Sequence, residues 1–168
     1  MNQRVMGQEG VGQATMPAVG QGVALSGAIG ALIAEVAAGW NDHDTERVVA
    51  CYDPAYEGMD AGEAATRHGI IGLRKTVRRW FRAFPDLRLV PTTLIAQGDQ
   101  VAFGWTITGT HHGTFMRIPP TGRRVTIQGV SLMTVADGRI VRASRIWDMA
   151  AFLRCVGLLP DLHRATED

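Results

Sequence analysis

One lysine, two cysteines, scarcely any net charge and no apolar run of membrane-spanning length: each scarcity in this chain closes off a class of function. Seventeen basic residues against sixteen acidic ones leave a formal charge of +1, so no global field draws in a polyanion and no nucleic-acid partner is expected. Lys75 is the single lysine among the basic residues. Cys51 and Cys155 each stand alone inside apolar helical patterns, which is how buried free thiols of a reducing, cytoplasmic compartment read. The most apolar stretch, Val23 to Ala38, is broken by Gly27, Gly30 and Glu35 and falls short of the roughly 20 residues a membrane span needs. Residues 1–22 hold no apolar core of the kind a secretory leader carries. Phosphate-cradling and dinucleotide glycine loops, an HExxH pair, paired Cys ligands and a GxSxG elbow are all missing, so neither a tightly bound cofactor nor a metal nor a serine nucleophile is expected.

What is present divides the 168 residues into a Gly- and Gln-rich arm over 1–22, expected to be disordered, one domain over 23–160, and a flexible tail over 161–168. Apolar positions Leu25, Ile29, Leu32, Ile33, Val36 and Trp40 recur at helical spacing and predict a first helix that stops at Asn41. Asp44 and Thr45 supply cap chemistry for a short second helix, Glu46 to Tyr52, ended by Asp53-Pro54. Tyr56 to Arg67 reads as a polar connection. A third helix follows over Gly69 to Phe84, with Ile70, Leu73, Val77, Trp80, Phe81 and Phe84 on one side and a solvated basic face on the other. After Pro85 the period changes to two, predicting strands at Leu87–Ala96, Gln100–Thr110, Arg124–Val135 and Arg139–Trp147, with Asp137-Gly138 as a hairpin turn. Met149 to Val156 closes the domain as a short C-terminal helix before Gly157. Helices first and strands afterwards make an α+β fold, three N-terminal helices laid on one face of a curved antiparallel sheet.

Four stretches in this order resemble one family: Trp40-Asn41-Asp42-His43-Asp44; Gly72-Leu73-Arg74 through Ala83-Phe84-Pro85-Asp86-Leu87; Gly113 through Ile118-Pro119-Pro120-Thr121-Gly122-Arg123; and Asp137-Gly138-Arg139-Ile140-Val141 with Trp147-Asp148 and Leu153 to Gly157. The chain is similar in these respects to the SnoaL-like polyketide and ester cyclases of the nuclear transport factor 2-like superfamily, from about Leu25 to Leu159. The resemblance implies a conical sheet wrapped by helices around a deep apolar pocket, a homodimer formed through the sheet, and an apolar small-molecule substrate handled without a cofactor. It does not choose a reaction, since aldol cyclases, epoxide hydrolases, ether cyclases and an isomerase share the fold. Two positions that carry the aldol-cyclase signature are changed here: Ile146 precedes Trp147 where an acid is usual, and Ser131 stands where a His is usual.

Candidate residues follow from position and chemistry. Asp148, after Trp147, reads either as a pocket-edge general acid or base or as the cap of the terminal helix. The alternation of Val101, Phe103, Trp105 and Ile107 continues to an inward His111, either a proton shuttle or a hydrogen-bonded structural ring, and leaves His112 outside. Tyr52, Asp53, Tyr56 and His68 flank the expected pocket mouth, with Tyr56 as the preferred phenol donor to an enolate. Trp40, Trp80, Phe103, Trp105 and Met133 are expected as lining, and Ser131 and Trp147 join them as substrate contacts. Arg145 is expected on the surface. Three functions stay open: an acid–base cyclase or isomerase on a carbonyl-bearing molecule, an epoxide-opening enzyme using Asp148 with a second acid such as Asp53, and a non-catalytic binding protein.

Overall fold

The computed structural model describes residues 27–60 and 67–160. The expected arm over 1–22, the start of the first helix at Leu25 and the tail over 161–168 lie outside those residues. Helix α1 (Gly27–Asn41) buries Ile33, Val36, Ala37 and Trp40 along one stripe. Helix α2 (Thr45–Ala50) is short and capped by Asp44, whose carboxylate accepts from the backbone N–H groups of Glu46 and Arg47 at 3.0 Å each. Helix α3 (Gly69–Ala83) presents Leu73, Thr76, Val77, Trp80 and Ala83 to the interior at three- and four-residue steps. Helix α4 (Met149–Cys155) follows the last strand.

Between α2 and α3 the chain forms strand β1 (Tyr52–Asp60) and a two-residue strand β2 (Arg67–His68), where the sequence reads as the end of a helix and a polar connection. Pro54 argues against a strand because it has no N–H to donate. The structure accommodates it at the place where the β1 register shifts, between Tyr52 and Glu57, so no ladder donor is missed. Strands β3 (Arg88–Gln97), β4 (Gln100–Thr110), β5 (Arg124–Ala136) and β6 (Arg139–Trp147) form the antiparallel meander that the period-two pattern predicts. In the β5–β6 turn Asp137 and Gly138 both adopt positive φ, 49° and 73°, as a two-residue hairpin loop that follows the right-handed twist requires.

The sheet runs β2-β1-β6-β5-β4-β3, curved and not closed, with β1 lying parallel to β6 and the other neighbours antiparallel. A register shift between Pro91 and Thr93 on β3 adds to the bend. Buried side chains of α1 and α3 cover the concave face, and the space left between helices and sheet is where the candidate site sits. No helix among the described residues is long and apolar enough to cross a membrane.

Candidate active site

Residues opposite one another on neighbouring strands point to the same side, so the register alone builds the cavity floor. One row crosses four strands: Phe103 on β4, Ser131 on β5, Arg145 on β6 and Asp60 on β1. The next row holds Trp105, Gly129 and Trp147, and the one on the other side Val101, Met133, Ala143 and Gly58. Opposite this floor, Val36 and Trp40 of α1 and Leu73, Thr76, Val77 and Trp80 of α3 form the roof. The slot and its mouth enclose about 620 Å³, of which about 50 Å³ is roomy enough for the centre of a water-sized sphere, so its walls stand close together.

The walls are mostly aromatic. Trp40 meets Trp80 edge-on at 6.3 Å between ring centroids, and Trp80 meets Trp147 in the same way at 6.1 Å. Trp105 is fixed by two contacts. Its indole N–H donates to the Ser131 hydroxyl at 3.0 Å, and its six-membered ring lies on Gly129, where a Cβ would stand 2.5 Å from the ring. The glycine between two tryptophans therefore sets how deep the slot can be. The structure places Trp40, Trp80, Phe103, Trp105, Ser131, Met133 and Trp147, the expected substrate contacts, on the wall of this one cavity.

Polar chemistry gathers at one end. The Arg145 guanidinium lies 3.3 Å from an Asp60 carboxylate oxygen and donates to the Tyr52 hydroxyl at 3.3 Å. Both charged side chains are largely buried, with 16% and 11% of their surfaces exposed. Burial alone would lower the affinity of Arg145 for its proton, but the oxygens of Tyr52, Tyr56 and Asp60 outweigh it and hold the guanidinium firmly charged. Arg145 is thus a wall residue and not a surface one, which corrects the sequence expectation; its inward direction follows from its pairing with Ser131 and Asp60.

Tyr56 stands beside this group. Its ring meets Tyr52 edge-on at 4.9 Å, and its hydroxyl lies over Gly58, in the space a Cβ would take. Burial pushes the pKa of that hydroxyl up to about 12 against the opposing pull of the nearby Arg145 guanidinium, so it stays protonated and neutral.

None of the three expected catalytic residues is on the cavity wall: Tyr56 stands behind Tyr52, and Asp148 and His111 lie farther off. The Asp148 carboxylate accepts from the backbone N–H of Ala151 at 2.8 Å and caps α4, the second of the two roles its position allows. His111 points inward, as the strand parity predicts, and is fully buried, but among Phe84 and Phe152 at 5.6 and 5.8 Å. Those two rings in turn pack on Trp80 and Trp147, which separate the imidazole from the cavity. His111 Nδ1 lies 3.1 Å from the Thr121 hydroxyl, and its backbone carbonyl accepts from Thr121 and Gly122, so the residue ties down the loop after β4. Asp53 accepts from the N–H of Ala55 and does not line the cavity; the side chain of His68 lies outside the description.

Asp60 is the residue that sequence reasoning missed. Its signal was the inward parity of Tyr52, Tyr56, Gly58 and Asp60, hidden by Pro54 and by the polar residues between. Among the described residues no three His, Cys, Asp or Glu side chains converge as a metal site would require.

Comparison with known proteins agrees with this architecture. No curated protein matches the chain. Of solved structures, AclR from Streptomyces galilaeus, a candidate hydroxylase, is 30% identical over 80% of this chain and 87% of its own, with a TM-score of 0.70. TsrD from Streptomyces laurentii is 26% identical over 79% and 96%, with a TM-score of 0.72. IdmH from Streptomyces antibioticus, a candidate polyketide cyclase, is 28% identical over 76% and 96%, with a TM-score of 0.66. The family model described as SnoaL-like polyketide cyclase matches residues 31–155, from α1 through α4, and the chain belongs to that family.

Proposed function

We propose that this chain is an enzyme that closes or isomerises a ring in an apolar, carbonyl-bearing small molecule of the polyketide type, by general acid–base chemistry in the aromatic slot. The observation that carries the reading is the Asp60–Arg145 pair, 3.3 Å apart with Tyr52 bonded to Arg145, in a cavity whose walls are mostly apolar. In the proposed reaction Asp60 takes a proton from the carbon next to a carbonyl. As charge builds on that carbonyl oxygen, N–H groups of Arg145 and the hydroxyl of Tyr52 stabilise it, more strongly than in water because the walls exclude solvent. The electron pair of the carbanion forms the new C–C bond to a second carbonyl carbon, whose oxygen then receives the proton from Asp60. The narrow slot contributes by holding a flexible chain folded for attack. No step calls for a cofactor.

The proposal gives the proton-transfer role to Asp60 in place of Asp148 and His111, which lack contact with the cavity, and keeps Tyr56 as a neutral donor behind Tyr52. IdmH, a relative described as a candidate polyketide cyclase, supports ring closure. Epoxide opening calls for two carboxylates in the cavity, and Asp60 is the only one among the described wall residues. A cytoplasmic location belongs to the proposal, supported by the free thiols of Cys51 and Cys155.

Proton abstraction can be followed without the natural substrate, by NMR of α-carbon deuterium uptake from D₂O into a linear aryl 1,3-diketone. Wild type is expected to accelerate exchange and Asp60→Asn to reduce that acceleration by about 10²–10⁴-fold, with circular dichroism confirming the fold of the variant. Full exchange in the variant would remove Asp60 from the chemistry. Binding of the diketone with no exchange by wild type would give the cavity to a non-catalytic binding protein.

A further inference from the structure

Trp105 lies down where a strand side chain ordinarily stands up from its sheet. Gly129 faces it on β5, and a Cβ there would meet two atoms of the six-membered ring at 2.5 Å, so the indole occupies the space that any other residue would fill. Its N–H reaches the diagonal neighbour Ser131 at 3.0 Å, and both side chains are buried. Neither partner residue suits its place for a reason of its own. Glycine weakens the interior of a strand, and the backbone of Gly129 lies outside the left-handed region that would call for one. A buried hydroxyl is unfavourable unless it is hydrogen-bonded. What the two share is the ring: Gly129 clears the space beneath it and Ser131 holds its N–H. The consequence is the length of the cavity. Along β4 the inward side chains are Phe103, Trp105 and Ile107, and Ile107 lines the cavity together with its β3 partner Leu89. The slot therefore runs from the Arg145 row past Trp105 to an apolar end, and with walls this close a standing indole would block the passage.

Resting on the reading of this cavity as the substrate site, we propose that Gly129 and Ser131 form a seat that keeps Trp105 flat, and that the seated ring determines specificity by opening the passage to the Leu89–Ile107 end. Ser131 is a positioning residue that acts through Trp105, and Gly129 provides the clearance. A substrate whose apolar part extends from the Arg145 row across the ring buries that part against Leu89 and Ile107. A short substrate stays on the near side of Trp105 and is indifferent to the seat.

The probes are benzoylacetone and its homologue in which a heptyl chain replaces the terminal methyl group, and calorimetry measures binding whether or not exchange occurs. Wild type is expected to bind the heptyl compound about ten-fold or more tightly, from the extra apolar surface buried. Gly129→Ala, which lifts the ring into the passage, is expected to abolish that preference by weakening the long probe alone. Adding Trp105→Phe to Gly129→Ala, a smaller ring that leaves room for the methyl group, is expected to restore it. Ser131→Ala strands the indole N–H: the Trp105 indole resonance is expected to move upfield and exchange faster, and the preference to fall about three-fold or more, while Ser131→Thr keeps the acceptor and most of the preference. Equal affinities in wild type, binding of neither probe, an equal loss for both probes in Gly129→Ala, or a shifted indole resonance with the preference intact would each overturn the inference. A Cβ at Gly129 would also stand 2.9 Å from the Ile146 carbonyl oxygen, so if Gly129→Ala does not fold, Ser131→Ala and Ser131→Thr decide. A preference that vanishes in the seat variants, with no α-proton exchange by wild type, leaves this inference standing and sinks the acid–base reading. Exchange that depends on Asp60, with both probes weakened equally in Gly129→Ala, does the reverse.

Discussion

His111 shows what burial does to a single titratable group. The fully buried ring sits between Phe84 and Phe152, its Nε2 has no hydrogen-bond partner among the described residues, and burial lowers its pKa from 6.5. Above pH 6.5 the folded and unfolded chains both hold the imidazole neutral, and its titration takes nothing from stability. Below 6.5 the unfolded chain binds a proton that the folded one refuses, so stability falls with pH until the lowered folded pKa is reached and then levels off. The urea midpoint is therefore expected to drop between about pH 8 and about pH 5, and to drop less in His111→Gln. An identical drop in that variant would place the acid sensitivity on another group. Asp60 and Arg145 form instead a largely buried ion pair, 3.3 Å apart. Their 85-residue separation in the chain is why neither was legible as part of a pair.

Element ends decide between structural and chemical carboxylates. Asp148 caps a seven-residue helix, α4, that carries Phe152 into the aromatic cluster behind the slot. Asp148→Ala is expected to cost about 1 kcal/mol of stability, whereas Asp148→Asn, which keeps a capping oxygen, is expected to cost little. Neither change should slow α-proton exchange by more than a small factor. A large loss of exchange in Asp148→Asn with an unaltered thermal midpoint would return this acid to the chemistry. The four strands after Pro85 and the helices α1 and α3 were legible because each keeps one period over nine or more residues, with only small differences at their ends. β1 was not, because Pro54 and alternating small and polar residues mask a strand whose pairing partner, β6, lies about 85 residues downstream.

At the scale of the whole molecule, the convex face of the sheet remains to be covered. Ile95, Ala102, Leu132, Ser144 and Met59 form one transverse row there, and Ile146 lies beside it. Ile95, Leu132, Met59 and Ile146 are half or more exposed, or nearly so, at 63, 48, 50 and 50%. We propose that a second copy of the chain covers this face, as the family resemblance implies, since a contiguous apolar patch on a sheet is an association surface. Sedimentation is expected to show a dimer for wild type and a folded monomer for Leu132→Glu. A wild-type monomer at micromolar concentration would withdraw the homodimer.

The sequence by itself determined the α+β class, the meander with its Asp137-Gly138 hairpin, the helical stripes and the aromatic residues that become the cavity wall, because hydrophobic period and turn chemistry are local properties. His111 facing inward belongs with these, as a matter of strand parity. Only the tertiary structure decided that the inward ring is screened by Phe84 and Phe152, that Asp148 spends its carboxylate on a helix end, and that Asp60 of β1 meets Arg145 of β6 in the slot. Those outcomes depend on a parallel strand pairing between distant segments, and no local period encodes which strand will lie beside which.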